Sequence, residues 1–309
     1  MVVSPKVIVL ILSYNGRDLL SEAISSYQAN EYDNYDIVVI DNGSDDKTQE
    51  FVQNNYPDVS VLRLKKNRGY SGGFNHGLEY AFIDQGADYV LVTNNDVKAD
   101  ANIISELVKT ALEKKDAGFV IGKVYFYDHP HILQSVGKLH DDRLWSMGHI
   151  GGGEVDNGKY DQVEVREWCD DIYWLIRSEL YKQTGGYDTE FQFQAEDYDW
   201  QVRAKKAGWK IYYTPKAKLW HKDSMTIGKH SAFKAYYDFR NPLIVQIKHR
   251  EFKEYKYYLW EKIKYLLIVI VKKTIQFEFE YIVKSISGLF SALKWGITNN
   301  RCRLDRRHD

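Results

Sequence analysis

One stretch constrains this chain more than any other: the apolar run Tyr89–Thr93, which stops abruptly at Asn94-Asn95-Asp96. A short apolar run that is rich in β-branched and aromatic residues predicts a buried strand. The three polar side chains after it need water, a metal or a ligand as a partner. Because ligands bind at the carboxyl ends of strands in open α/β sheets, the stretch predicts a ligand site. The alternative is a turn whose Asn and Asp residues cap the next helix.

The rest of the first half alternates between strand-like and helical patterns. Strands are predicted at residues 7–12, 37–40, 59–64, 89–93 and 119–124, with helices at 18–28, 48–54 and 103–113 among them. Such alternation predicts a mostly parallel sheet covered by helices on both faces. Residues 125–167 are rich in Gly, His, Asp and aromatic residues, which predicts loops and short antiparallel strands. Beyond them the patterns predict helices at 178–184 and 196–207 and strands at 168–176 and 209–213.

The charge distribution divides the chain at Asn241-Pro242. Residues 243–309 hold 14 Lys and Arg against 7 Asp and Glu, a charge of +7, so the total of −1 leaves −8 on residues 1–242. We expect an α/β domain over 1–242 and a basic, aromatic, helical region over 243–309. An acidic body argues against a nucleic-acid partner, and the basic region indicates a partner of its own.

Cysteine usage and hydropathy limit the cellular setting. Two cysteines, Cys169 and Cys302, are too few for a disulfide framework, and no Cys/His spacing is typical of a zinc site. This favours a reducing, cytoplasmic setting. No stretch of the sequence approaches the ~18–20 apolar residues of a membrane-spanning helix.

Polar clusters follow four of the predicted strands, at residues 13–16, 41–46, 67–77 and 94–96. Four clusters in corresponding positions predict a ligand crevice along one edge of the sheet. The third cluster is glycine-rich, so the backbone can approach a ligand closely, and Arg68 offers a cation suited to a phosphate. It is neither a Rossmann fingerprint nor a Walker A loop. The alternative for this cluster is a glycine-rich helix entry.

Together these motifs resemble the family 2 glycosyltransferases of the GT-A fold. The motifs are Ser-Tyr-Asn-Gly at 13–16, Val-Ile-Asp-Asn-Gly-Ser-Asp-Asp at 39–46, Asn-Arg-Gly-Tyr-Ser-Gly-Gly at 67–73 and Asn-Asn-Asp at 94–96. The third is similar to the branch of rhamnosyl- and galactofuranosyltransferases that build bacterial surface glycans. The resemblance covers residues 5–225 and implies a GT-A type α/β domain with a mostly parallel central sheet.

The resemblance also implies a nucleotide-sugar donor and residues that bind it. The base and ribose would lie against Ser13, Tyr14 and Asn15, and Asp41 would recognise the pyrimidine edge. The donor-binding residues around the diphosphate and sugar would be Arg68, Gly69, Asn94 and Asn95.

Asp96 and His221 are the metal ligands that the resemblance implies, for Mg²⁺ or Mn²⁺ bridging the donor diphosphate. The family's metal motif is commonly Asp-x-Asp, whereas this chain has Asn94 in the first position. An amide oxygen can still ligate the metal, and one carboxylate with phosphates is a usual magnesium arrangement. The departure leaves open a second interpretation, a non-catalytic protein that binds nucleotide sugars.

Glu196-Asp197 opens a predicted helix and is the candidate catalytic pair. Adjacent helical side chains point ~100° apart, so one carboxylate can face an acceptor while the other orients something else. Glu196 shares a helix face with Trp200 and Arg203, which favours Asp197 as the residue aimed differently. In the resembled family the Asp of this pair is usually the general base. The alternative is a helix N-terminus enriched in acids because of the helix dipole.

The sequence thus predicts an inverting, metal-dependent glycosyltransferase. It would move a sugar from dTDP-rhamnose or a UDP-sugar to a polysaccharide or polyprenol-linked glycan acceptor. A sugar-nucleotide pyrophosphorylase is less favoured, because that class needs a glycine-rich loop with Arg and Lys directly after the first strand.

The basic region has a pattern of its own. Residues 255–273 interleave Tyr, Trp and aliphatic side chains with lysines, and residues 290–295 repeat the theme. Such helices are typical of a membrane interface, where rings lie at headgroup depth and lysines meet anionic lipid. We therefore expect peripheral binding to the inner face of the cell membrane. The alternative is a helical pair packed on the catalytic domain or in a homodimer interface.

Overall fold

A central twisted sheet organises the computed structural model, which describes residues 4–222 and 231–305. Its strands are β1 Val7–Ser13, β2 Tyr35–Asp41, β3 Ser60–Arg63, β4 Tyr89–Thr93, β5 Val97–Ala99, β6 Ala117–Phe126, β7 His129–Ser135, β10 Glu164–Arg166, β11 Tyr173–Arg177 and β12 Lys210–His221. A separate hairpin pairs β8 Lys138–Asp141 with β9 Trp145–His149. The sheet order is β10-β12-β6-β11-β4-β1-β2-β3, with β5 paired to β12 and β7 to β6.

Helices cover both faces of this sheet and follow it at the C-terminal end. They are α1 Arg17–Gln28, α2 Thr48–Asn55, α3 Gly69–Glu79, α4 Ile103–Glu113, α5 Ser178–Thr184, α6 Glu196–Lys206, α7 Ala232–His249, α8 Phe252–Ile275 and α9 Phe279–Asp305. The α/β prediction is confirmed, and several predicted bounds agree with the structure to within two residues. The short antiparallel strands predicted within residues 125–167 are present as β7 to β10.

The sheet is parallel in one half and mixed in the other. Strands β3, β2, β1 and β4 are parallel neighbours, as predicted. Beyond β4, however, β11 pairs antiparallel with both β4 and β6. The strand predicted at 209–213 is the first part of the longer strand β12, which continues to His221 and whose register shifts between Tyr213 and Lys218. The mixed half places the end of β12 beside the loop that follows β4.

Alternation along β1 explains how the sheet is buried on both faces. Val7, Val9 and Ile11 belong to the apolar cluster under α1 and α4, whereas Ile8 and Leu10 belong to the cluster under α3. Helix α3 approaches the sheet closely because it presents glycine there. A Cβ on Gly77 would lie 2.4 Å from Cδ1 of Ile40. The glycine-rich cluster is therefore a packing surface as well as a loop.

Helix α7 runs across the boundary that the sequence analysis placed at residue 242, with Pro242 inside the helix. A proline lacks the N–H that would bond the carbonyl four residues earlier, here that of Asp238. In the structure Lys262 Nζ from α8 donates to the Asp238 carbonyl oxygen instead, at 2.9 Å. The carbonyl freed by Pro242 is therefore satisfied, and the helix continues without a break. Burial lowers the pKa of Lys262 to about 8.

The C-terminal helices pack on the α/β domain with their inner faces. Phe239, Leu243 and Ile247 of α7 share one apolar cluster with Phe191 and Val202 of the domain. Helix α9 lies against α7, and Gly288 is the closest point: a Cβ there would lie 2.2 Å from the Tyr236 carbonyl oxygen. The packing alternative for this region is thus present in the structure.

The outer faces of α8 and α9 remain apolar and exposed. Ten large apolar side chains on these two helices are 48–73% exposed. They are Tyr257, Trp260, Leu267, Ile268, Val271, Ile275, Phe279, Val283, Phe290 and Ile297. Exposed lysines, including Lys256 and Lys264, lie on the same helices. Within residues 4–222 and 231–305, no helix has the length and apolarity to cross a membrane.

Gly288→Ala should destabilise the protein by about 1–3 kcal/mol, because overpacking a close helix contact costs that amount and the neighbouring atom is a backbone oxygen. Gly296→Ala is the matched control in the same helix, since its Cβ would meet only side-chain atoms of Ile247 at 3.2 Å. That change should be neutral or stabilising by up to ~1 kcal/mol, through helix propensity. Urea denaturation measures both values. Equal effects would show that α9 does not pack on α7 as described.

Candidate active site

A cavity of about 1280 Å³ lies at the carboxyl ends of β1, β2 and β4. Seven of the residues predicted from sequence line it: Tyr14, Arg68, Gly69, Asn94, Asn95, Asp96 and His221. The other five do not line it: Ser13, Asp41, Glu196 and Asp197 are buried, and Asn15 is exposed on the loop after β1. The predicted crevice therefore exists, and the structure separates residues that face it from residues that support it.

The strand ends meet because β1, β2 and β4 pair in parallel register. Ser13 lies opposite Asp41, and Ile11 lies opposite Thr93. Asn15, which has a positive φ of 49°, joins the first two loops. Its backbone N–H donates to Ser44 Oγ at 3.0 Å, and its Oδ1 accepts from the N–H of Asp45 at 2.9 Å. Asn15 thus holds the loops in place.

Asp41 is fully buried beneath this edge. Its Oδ2 accepts from Arg63 Nη1 at 2.8 Å, and its Oδ1 accepts from the N–H of Ser44 at 2.9 Å. The carboxylate therefore organises the loop after β2. Recognition of a base by Asp41 stays a prediction, and the structure shows that such contact would compete with Arg63 and Ser44.

Asn42 is a site residue that the sequence analysis did not single out. Its Oδ1 accepts from the Arg68 N–H at 3.0 Å, and its Nδ2 donates to the Gly69 carbonyl at 3.0 Å. The side chain thereby fixes the turn that begins α3 and presents Arg68 to the cavity. The Asp-Asn sequence at the end of β2 was the available signal.

Asp96 and His221 meet because β12 pairs with β5, which places His221 opposite Val97. Asp96 Oδ1 lies 3.3 Å from His221 Nε2, and both residues are buried. The other ring nitrogen, Nδ1, donates to Gln134 Oε1 at 3.0 Å. The Nε2 atom therefore faces the Asp96 carboxylate.

This donor set fits a divalent cation. A histidine that binds metal usually donates its second ring N–H to an oxygen, as His221 does to Gln134. Two acceptors that face each other need a proton or a cation between them. No group of three or more His, Cys, Asp or Glu side chains in the described part of the chain is arranged to hold a metal. Phosphate oxygens and water would have to complete the coordination.

Glu196 and Asp197 begin α6 as predicted, and the structure adds two carboxylates that sequence reasoning missed. Asp170 and Asp171 lie just before β11 and close to the pair. Burial, reinforced by the charge of Asp171, raises the pKa of both Glu196 and Asp197 well above ordinary values. Burial also raises the pKa of Asp171 to about 6, against hydrogen bonds from Tyr70 and Tyr187.

Lys138 is the cation of this cluster. Its Nζ lies 2.6 Å from Asp170 Oδ1 and donates to the Tyr198 hydroxyl at 3.0 Å. Although burial opposes ionisation, Lys138 and His149 together lower the pKa of Asp170. Asp170 is thus ionised and paired, whereas Glu196 and Asp197 are poised to hold a proton. Glu196 Oε2 is buried and has no hydrogen-bond partner among the residues that the structure describes.

Comparison with known proteins places these features in a family. The family model for glycosyl transferase family 2 matches residues 8–149, and that for glycosyltransferase-like family 2 matches residues 170–240. Poly-beta-1,6-N-acetyl-D-glucosamine synthase of Staphylococcus aureus is 23% identical over 223 residues, which cover 71% of this chain and 50% of the relative. N-acetylglucosaminyl-diphospho-decaprenol L-rhamnosyltransferase of Mycobacterium tuberculosis is 25% identical over 224 residues, which cover 63% of this chain and 69% of the relative.

Solved structures agree on the fold. GalNAc-T7 with UDP, GalNAc and Mn²⁺ matches with a TM-score of 0.61 at 14% identity, over 80% of this chain and 48% of the other. The mannosyltransferase PcManGT from Pyrobaculum calidifontis, in complex with GDP-Man and Mn²⁺, matches with a TM-score of 0.60 at 15% identity. The match covers 96% of this chain and 88% of the mannosyltransferase. The chain spans about half the length of the staphylococcal synthase. With both family models matched and the site in place, the chain belongs to the family 2 glycosyltransferases and has their GT-A fold.

Proposed function

We propose that this protein transfers a sugar from a nucleotide-diphosphate donor to a glycan acceptor. One observation carries the proposal: a cation-binding pair lines the cavity, and a buried carboxylate pair with raised pKa values begins α6 only two residues after the lining residue Gln194. Asp96 and His221 form the first pair, and Glu196 and Asp197 form the second. A transferase needs both pairs. Positive charge stabilises the leaving diphosphate, and a base accepts the proton of the attacking hydroxyl.

The donor would occupy the half of the cavity next to the strand ends. Tyr14 and Asn95 lie at the ends of β1 and β4, where a nucleoside fits against the sheet edge. Arg68 at the start of α3 offers a guanidinium, which pairs well with phosphate oxygens. Ser13 is buried at the end of β1 beside this half, and Asn15 holds the loops after β1 and β2 together through its hydrogen bonds to Ser44 and Asp45.

Asp96 and His221 would hold Mg²⁺ or Mn²⁺ together with the donor's diphosphate. The bound cation would neutralise charge on the leaving diphosphate. The protein's part is to orient the two ligands, which the Gln134 hydrogen bond and the β5–β12 pairing accomplish. Both solved neighbours are described with Mn²⁺, which supports the choice of ion for the tests below.

Asp197 would accept the proton of the acceptor hydroxyl as that oxygen attacks the sugar, with inversion at the anomeric carbon. A base works best when its pKa lies near the working pH, and burial raises the pKa of Asp197 in that direction. Because the base must be deprotonated, kcat should rise with pH through this raised pKa. Glu196, which has an unpartnered buried oxygen, would orient the acceptor or the base.

The acceptor would enter from the opposite half of the cavity. Phe193, Phe233 and Tyr237 line it there, with ring centroids 5.0–5.8 Å apart. Phe233 is 52% exposed although it lies in a cavity wall. Aromatic faces of this kind suit the apolar face of a sugar ring. Glu196 follows two residues after Gln194, another lining residue, so this half leads to the catalytic pair.

For the donor we propose dTDP-rhamnose or a UDP-sugar, and for the acceptor a polysaccharide or a polyprenol-linked glycan. The similarity to a rhamnosyltransferase that acts on a decaprenol diphosphate supports this choice. We further propose that α8 and α9 bind the inner face of the membrane through their exposed apolar face. A homodimer formed through the same face is the alternative, and the vesicle experiment below tests it.

Asp96→Ala should abolish metal-dependent donor binding. A ligand that binds only the folded state raises apparent thermal stability. Wild type, scanned against a panel of nucleotide sugars with and without Mn²⁺, should show a shift that the variant lacks. Asp100→Ala, a carboxylate outside the cavity lining, is the control and should keep the shift. Equal shifts in wild type and Asp96→Ala would remove Asp96 from the metal site.

Asp197→Asn should keep the donor-dependent thermal shift and lose turnover. The substitution preserves shape and removes only the ability to accept a proton, a function worth about 10²–10⁴-fold. Glu196→Gln should impair the reaction differently, through KM or geometry. Turnover is measured as release of nucleoside diphosphate with a lipid-diphosphate N-acetylglucosamine acceptor. Wild-type turnover by Asp197→Asn would transfer the role of base to Glu196.

Sedimentation with vesicles tests the membrane proposal. Each basic side chain near an anionic surface contributes about 1 kcal/mol, and salt screens it within about 8 Å at physiological strength. Binding to phosphatidylglycerol vesicles should therefore fall with salt, and phosphatidylcholine vesicles should capture little. Ile268→Asp should weaken binding, whereas Ile83→Asp, at a position 61% exposed elsewhere, should not. Protein that ignores anionic vesicles at low salt while forming a dimer would identify the face as a dimer interface.

A further inference from the structure

We propose that Asn241 of α7 is a positioning residue for the catalytic pair: it clamps the backbone turn from which Glu196 and Asp197 project. The inference rests on the proposed function, since it assigns a purpose to that pair. It concerns a residue next to the compositional boundary at residue 242, on a helix that contributes none of the carboxylates of the site.

The turn before α6 has an unusual backbone. Gln194 and Ala195 have φ values of 65° and 68°, so two consecutive residues other than glycine occupy the left-handed region. Such residues are uncommon, and they persist only where the surrounding structure fixes them. Because Ala195 is the N-cap of α6, its conformation sets the direction in which the helix begins. Glu196 and Asp197 are the first two residues of that helix.

Asn241 supplies the contacts that fix this turn. The residue is fully buried. Its Nδ2 donates to the carbonyl oxygens of Phe193 and Gln194, at 2.7 and 3.0 Å. Its Oδ1 accepts from Arg240 Nη1 at 2.6 Å, which sets the orientation of the amide. Both N–H groups of the amide therefore donate to backbone carbonyls at the turn, those of Phe193 and Gln194.

Further contacts from α7 surround the same segment. Arg240 forms an ion pair with Glu190 ahead of the turn. Lys248 contacts Asp188 ahead of it and Asp199 within α6, at 2.5 and 2.6 Å. Helix α7 thus contacts the chain on both sides of Gln194-Ala195. Among the described hydrogen bonds, Asn241 is the side chain that bonds the carbonyls of Phe193 and Gln194, whereas the Ala195 carbonyl accepts from the Asp199 N–H within α6. The metal pair is positioned independently, by the pairing of β5 with β12.

Because different contacts hold the turn and the metal pair, a change at Asn241 should affect turnover and spare nucleotide binding. Asn241→Ala should lower kcat by ~10²-fold, the loss that a small misplacement of catalytic groups can cause. The affinity for nucleoside diphosphate with Mn²⁺ should stay close to that of wild type, because Asp96 and His221 do not depend on the turn. Asn55→Ala, which removes an exposed amide bonded to one carbonyl in α2, is the matched control and should leave both values unchanged.

Rescue distinguishes positioning from a general packing role. Glycine adopts positive φ at no steric cost, so Ala195→Gly should restore much of the lost kcat in the Asn241→Ala background. Asn241→Ser retains one hydroxyl donor and should give an intermediate kcat. If the alanine variant does not fold, kcat and nucleotide affinity are compared in Asn241→Ser instead, with and without Ala195→Gly. Loss of kcat together with equal loss of nucleotide affinity, or no rescue by Ala195→Gly, would overturn the proposal.

Hydrogen exchange tests the clamp without reference to turnover. Amide hydrogens of residues 194–199 should exchange faster in Asn241→Ala than in wild type, with no change in β1 to β4. Unchanged exchange would overturn the clamp. A wild-type protein that shows the clamp by exchange but neither binds nor turns over any nucleotide sugar would instead contradict the proposed function.

Discussion

The parallel pairing of β1 with β2 and β4 is the constraint on which the rest of the site depends. Its register places Ser13 beside Asp41 and Ile11 beside Thr93, so the three strands end at one level. Each end then contributes short polar side chains that cannot be buried without partners. Some of them bond the backbone of the neighbouring loop, as Ser44 Oγ does by accepting from the Asn15 N–H, and others line the cavity. The fold thus creates a polar edge first, and loop hydrogen bonds decide which groups stay open to a ligand.

The sequence predicts what depends on local pattern and fails where a distant partner decides. Strand β4 and helices α4 and α5 have the bounds that periodicity predicts, since an apolar run or an amphipathic face is a local property. Asp41 is different, because Arg63 on a neighbouring strand occupies its carboxylate. The continuity of α7 through Pro242 is also decided at a distance, because Lys262, twenty positions later, satisfies the carbonyl that the proline leaves free. Asp171 lacked a motif, and its place in the site depends on hydrogen bonds from the distant residues Tyr70 and Tyr187.

The two interpretations of the basic region describe two faces of the same helices. The inner face of α7, with parts of α8 and α9, completes an apolar cluster with Phe191 and Val202. The outer face keeps residues such as Trp260 and Ile268 exposed. The domain division at residue 242 therefore remains a statement about composition, whereas α7 connects the two regions.

Burial of like charges explains why the carboxylates are divided into two kinds. Asp170 is paired with Lys138, and its pKa is lowered despite burial. Glu196, Asp197 and Asp171 share the same buried region with no further described lysine pair, so burial and mutual repulsion raise their pKa values. Such an arrangement costs stability, because each of these acids would be better solvated outside. Its counterpart is a proton affinity higher than that of a carboxylate on an open surface, as is common at functional sites. Contacts from α7, on the other side of α6, can hold this destabilised cluster in place without neutralising it.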